Sequence, residues 1–186
     1  MTLGEMKKKT LALIEELNPE SVHLTDDPDI GAKFNFVANQ VMHELCRLKK
    51  LPRFVEIPVK AGDILRFGDI EKECGYEVYQ ISLITGVRYE PRAGGTVLKM
   101  LESGTAELDV FVYPEGITDR TRDSFELELG SDVLEIMPYG IAADLLKSDV
   151  SADYGSIYAD RYRELKQLLD PRNQLLSVTV EGGICL

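Results

Sequence analysis

The residues best spaced for chemistry are in the run His43-Glu44-Leu45-Cys46. On a helix His43 and Cys46 stand at i and i+3 and could share a metal ion, with Glu44 beside them. A zinc site wants three or four ligands, and His23 is the only other histidine. Cys46 also falls one position from an apolar stripe, so the simpler reading is a packed thiol beside a surface histidine. Carboxylates are plentiful, and Glu73, Asp109 and Glu126 could in principle pair for acid–base work, but no spacing selects them. There is no G-x-S-x-G, phosphate-binding loop or G-x-G-x-x-G; Gly94-Gly95 lacks a strand-to-helix context and marks a turn. These residues predict no enzyme, no catalytic residue, no metal and no cofactor.

Composition narrows the classes further. The 186 residues carry a net charge of −11, with 44% hydrophobic and 28% charged side chains, an ordinary globular balance. A general nucleic-acid binder needs a basic face, which this charge argues against. A local basic run, Arg47, Lys49, Lys50 and Arg53, reads as a solvated helix end where cations suit the helix dipole. No apolar run approaches the roughly 18–20 residues of a membrane span. The apolar positions after the N-terminal lysines are broken by Glu15 and Glu16, so export is not expected. Cys46, Cys74 and Cys185 are odd in number and far apart, which suits a reducing compartment better than a disulfide scaffold.

The elements that must position these residues begin with two helices. Leu3, Met6, Thr10, Leu13, Ile14 and Leu17 make a stripe over residues 3–17, stopped by Asn18-Pro19. After a polar connector over 18–28, a second helix starts near Asp27 to Asp29, with Pro28 in its first turn. It carries Ile30, Phe34, Val37, Val41, Leu45 and Leu48 on one face and runs to about Lys50.

From Phe54 the period becomes two. Val55, Ile57 and Val59 alternate with Glu56 and Pro58, and Pro58 points to an edge strand or a bulge. Further strands are predicted near 63–67, 77–84, 87–90, 96–101, 106–113 and, as FELEL, 125–129. The runs 91–95 and 102–104 read as hairpin loops, so consecutive antiparallel pairing is the natural topology. Residues 114–123 form a polar loop, with a protruding contact loop as the functional alternative.

A third helix follows, with Asp132 and Glu135 in the order of a capping box and Pro138 either opening or kinking it. Ile141, Ala142, Leu145 and Leu146 form its stripe, and Ala142-Ala143 would admit a close neighbour. Ser151 suits the N-cap of a fourth helix bearing Tyr154, Tyr158, Tyr162, Leu165 and Leu169. A tyrosine row of this kind is core or a semi-exposed packing seam, and a subunit interface is the sharper alternative. The last segment alternates Leu176, Val178 and Val180 with polar residues, as a strand that joins its own sheet or another chain. The predicted fold is α+β: a four-helix bundle from residues 1–52 and 131–170, an antiparallel β-rich domain at 53–130 inserted between helices two and three, and an extended tail at 171–186.

This order of elements resembles the head-to-tail connector, or adaptor, proteins of tailed bacteriophages, in the type whose helical bundle holds a β insert. The resemblance is carried by FELEL, by DVLEIMPYGIAADLLKSDVSADYGSIYADRYRELKQLL and by GGTVLKM…GTAELDVFVYPEGIT. It implies a structural virion protein of the neck, made in the bacterial host cytoplasm, that assembles as a ring below the portal protein. Its partners would be the portal and a downstream tail or neck protein, with DNA passing through the channel without sequence-specific binding. Tyr154, Tyr158 and Tyr162, with Leu176, Val178 and Val180 of the tail, are then the candidate partner and subunit contacts. The rival reading is a β-sandwich binding module for protein or carbohydrate on a helical stalk.

Overall fold

The structure is a computed structural model, which describes residues 1–14, 28–95, 97–148 and 152–169. Among these residues the fold is α+β, with five α-helices and two three-stranded antiparallel sheets. The helices are α1 (Leu3–Leu13), α2 (Pro28–Leu48), α3 (Phe67–Cys74), α4 (Ser131–Leu145) and α5 (Ala152–Leu169). The strands are β1 (Leu51–Val59), β2 (Ile64–Arg66), β3 (Val78–Thr85), β4 (Tyr89–Arg92), β5 (Val97–Met100) and β6 (Gly104–Val112).

Four of the helices share one core. α4 is apolar nearly all round, burying Val133, Leu134, Ile136, Met137, Ile141 and Leu145, so it needs neighbours on several sides. It has them in α1, α2 and α5. α2 contributes Phe34, Val37, Ala38, Val41, Met42 and Leu45, and α1 contributes Leu3 and Met6. α1 opens on a capping box that the sequence reading passed over. Thr2 Oγ1 accepts from Glu5 N at 3.2 Å, and Thr2 N donates to Glu5 Oε2 at 2.9 Å. The capping box expected at Asp132 does not form. Gly130 occupies the N-cap, and Asp132 instead accepts from Val133 N and pairs with Lys49. The helix also begins seven residues before Pro138, which lies buried inside it rather than at its start.

The close α4–α5 approach uses two glycines, Gly140 and Gly155, the latter lying against the Ala143 carbonyl, and Ala142 is buried beside Tyr158. A Cβ at Gly140 would meet the Tyr162 ring at 2.9–3.1 Å, and one at Gly155 would meet Leu146 Cβ at 3.3 Å.

The β body is a two-layer sandwich. One sheet has the order β1-β6-β3 and the other β2-β5-β4, with all pairs antiparallel. Val55, Ile57, Val59, Leu108, Val110 and Val112 from the first sheet meet Leu65, Leu98 and Met100 from the second. The structure departs from expectation in two places. The strand expected near 63–67 forms over Ile64–Arg66, but an unpredicted helix follows it. The chain then turns into α3, where Arg66 N donates to Asp69 Oδ2 at 3.0 Å and Gly75 ends the helix at φ +77°. Eight residues with one fully buried position, Ile70, leave too little periodicity to announce a helix.

The second departure concerns pairing. β4 and β5 do form a hairpin through 93–95, but Glu102-Ser103-Gly104 carries the chain from one sheet to the other. Turn residues mark where a chain reverses; which edge it then joins is decided by long-range packing. β1 is an edge strand, as Pro58 requires.

FELEL is not a sheet strand. Glu126 makes one isolated bridge to Thr2, while Leu3 N donates to Phe125 O and Leu127 N to Met1 O. Its alternation instead sends Phe125, Leu127 and Leu129 into the helical core.

Candidate functional site

The end of α2 is where the helical core and the β body meet. Its last turns lie across the outer face of the β1-β6-β3 sheet, over Tyr79, Phe111 and Tyr113. The His43 ring stacks on Tyr113 with centroids 4.1 Å apart, and Tyr79 lies 4.7 Å from the same ring. Tyr79 Oη donates to the Cys46 carbonyl at 2.9 Å, satisfying one of the carbonyls that a helix end leaves without a partner. Arg47 Nε donates to Tyr113 Oη at 2.8 Å. Lys50 Nζ lies 4.4 Å from the centre of the Phe111 ring, within cation–π reach.

The basic run is therefore used within the chain. Lys49 pairs with Asp132 at 3.0 Å. Arg53 pairs with Glu128 at 3.1 Å and stacks over the Tyr76 ring at 4.8 Å, while Tyr76 Oη donates to the same Glu128. Burial pushes the Cys46 thiol up to about 11, so it stays a protonated, unreactive packing group at neutral pH. Burial, with Cys46 and Tyr113 adding, pushes the Tyr79 hydroxyl up to about 12 and keeps it a donor.

Beside this seam is a cleft of about 660 Å³, lined by Asn39, His43, Tyr76, Glu77, Tyr113 and Glu115. The segment after β6 forms one wall and is pinned to α2 by two asparagines one turn apart. Asn39 accepts from Ile117 N and donates to Ile117 O, each at 2.8 Å, and Asn35 donates to Asp119 at 2.9 Å. Ile117 enters the helical core. The loop 114–123 is thus fastened at its middle, and Arg120 and Arg122 stand exposed beyond the fastening.

Helix geometry disperses the His43, Glu44, Cys46 trio. His43 lies on Tyr113, Cys46 is fully buried, and Glu44 crosses to α5, where it accepts from Tyr162 Oη at 2.9 Å and from Lys166 Nζ at 2.5 Å. Among the described residues no group of three or more His, Cys, Asp or Glu is placed to hold a metal. Glu73, Asp109 and Glu126 lie on α3, on β6 and beside Thr2.

Tyr158 and Tyr162 are half-buried and committed within the chain. Tyr158 Oη donates to the Leu13 carbonyl. Burial first, and Glu44 second, hold the Tyr162 phenol far above its ordinary value, so it remains a donor. Tyr154 is on α5, with its side chain outside what is described; Leu176, Val178, Val180, the Ser151 cap and most of the 18–28 connector lie outside the described residues. The apolar side chains that α5 does present outward are Ile157 and Leu168, 61% and 69% exposed.

Sequence reasoning missed the seam. A signal was present, since alternate positions along β6 and just past it read Glu107, Asp109, Phe111, Tyr113, and two successive aromatics there call for a cover.

The chain matches no protein-family model and no curated protein. No helix among the described residues is long and apolar enough to cross a membrane.

Proposed function

We propose that this chain is a structural adaptor, a head-to-tail connector that assembles as a ring below a portal protein in the neck of a tailed phage. In this reading α1, α2, α4 and α5 are a four-helix bundle, and the β body is an insert between α2 and α4. The observation that carries it is the seam. His43, Arg47 and Lys50 hold the outer face of the sheet, so the sandwich is tied to the helices by side-chain contacts. A part that must transmit position between two larger assemblies needs its two bodies tied in this way.

A ring closes through heterologous contacts, in which one face of a subunit meets a different face of its neighbour. Tyr158 and Tyr162 have their hydroxyls engaged inside the chain. The α5 surface with Ile157 and Leu168 is therefore the better subunit contact, and the alternating tail sequence Leu176, Val178, Val180 would suit backbone pairing to the portal or a neighbour.

The test is to mix the purified chain with the portal encoded beside it and image the products. Rings or stable co-purification are expected, Leu168→Asp should abolish them without unfolding the monomer, and deletion of Leu175 to Leu186 should remove portal binding. A chain that stays monomeric beside its portal and binds nothing would overturn the reading. The cleft beside His43 favours one rival, a β-sandwich binding module for protein or carbohydrate on a helical stalk. That protein would bind a defined ligand and form no ring.

A further inference from the structure

The outer face of the β1-β6-β3 sheet is covered over only part of its length. Near the helices it lies under α2, with Lys50 over Phe111 and Arg47 on Tyr113. One rung further out, Phe54, Asp109 and Leu83 stand side by side, because Asp109 is the register partner of both neighbours. Phe54 is 59% and Leu83 53% exposed. They flank the central strand at two inter-strand spacings, about 10 Å apart. The following rung holds Glu56 directly opposite Glu107, with Thr85 on the third strand. Thr85 Oγ1 donates to Glu107, but among the described residues no cation reaches Glu56, Glu107 or Asp109. Like charges directly across an antiparallel pair destabilise the sheet. The free protein thus holds an apolar pair bordered by carboxylates that repel one another.

We propose that this face docks a basic amphipathic helix from another protein, with an apolar side chain between Phe54 and Leu83 and lysines or arginines over Glu56, Asp109 and Glu107. Two observations select that occupant. The adjoining half of the same face is already covered by a helix end bearing Arg47 and Lys50, so the fold itself supplies the pattern of cover. The carboxylates supply the charge complement. A second copy is a poor occupant. The chain is strongly acidic, and the exposed face of α5 has its charges matched internally as Arg161–Glu164 and Arg163–Asp160. The inference stands apart from the connector reading, because a ring can close through α5 with this face bare.

The experiment titrates the full chain with a labelled helical peptide of leucine and lysine, and with a leucine–glutamate peptide of the same spacing. The lysine peptide should bind and the glutamate peptide should not. Phe54→Ser should weaken binding about tenfold or more, as truncating an anchor does. The paired change Glu56→Gln with Glu107→Gln should weaken binding about tenfold while raising the melting temperature of the free protein, because it relieves the cross-strand repulsion. These opposed signs separate a docking role from a structural one. Three results would overturn the proposal: no binding of the lysine peptide; equal weakening by a remote pair, Glu126→Gln with Glu135→Gln, which would mean general charge attraction; or self-association of the free chain that Phe54→Ser abolishes, which would make the occupant a second copy.

Discussion

The helical core and the β body solve the same burial problem in different ways. In the helices each buried residue belongs to a stripe set by its own segment, and α4 joins the stripes because it is apolar nearly all round. In the sandwich the chain changes sheet after β1, β2, β3 and β5, so every strand pairing except the β4–β5 hairpin joins distant sequence. The helical region therefore depends mainly on side-chain volume. The β body depends more on a few backbone positions where strands cross closely.

Substitutions at the two kinds of position test that contrast. Phe34→Ala removes the largest fully buried side chain of the helical core and should cost about 4 kcal/mol in denaturant unfolding. Gly86→Ala should cost about 3 kcal/mol although it adds a single carbon, through backbone overlap and a left-handed φ. Gly86 has φ +82°, and a Cβ there would lie 2.3 Å from the Thr105 carbonyl oxygen. Both variants should shift one common transition, read by helix signal and by amide exchange in β6, because the Tyr79–Cys46 and Arg47–Tyr113 bonds tie the regions together. Two separate transitions would show that the seam does not couple them.

A smaller loss is expected at the α2–α5 contact. Tyr162→Phe keeps the ring against Gly140 and deletes only the bond to Glu44, a loss of about 1 kcal/mol by thermal melting. A loss near zero would mean that Lys166 alone holds Glu44.

The smallest effect tests the link between the helices. The Lys49 ammonium first, and the Val133 amide next, hold the Asp132 carboxyl below its ordinary 3.8. A depressed carboxylate adds stability that is present above about pH 4 and fades as pH falls through the lower folded value. Both partners are well exposed, so Asp132→Asn should cost only about 0.3–0.5 kcal/mol at neutral pH and nothing near pH 2. A difference that persists at pH 2, or that survives molar salt, would assign the role of Asp132 to packing instead.

The helices were legible because their period is local. The stripe Phe34, Val37, Val41, Leu45 is buried as its spacing implies, and α4 starts within a residue of Asp132, with Pro138 inside it rather than opening it. Local alternation also located most of the strands and, through Pro58, identified β1 as an edge. FELEL shows the limit of that signal, since alternation says that one side is buried but not against what. The candidate site was less legible still. The basic run 47–53 read as a solvated helix end, and only the fold placed Tyr76, Phe111 and Tyr113 within reach of those cations.

The amino-acid order alone thus determined the α+β class, the long helices with their buried faces, and most strand positions, because these follow from contacts a few residues apart. The tertiary structure decided strand neighbours, α3, the glycine contacts, the seam and the uncovered half of the sheet face. Each of these depends on groups that the chain brings together only after it has packed.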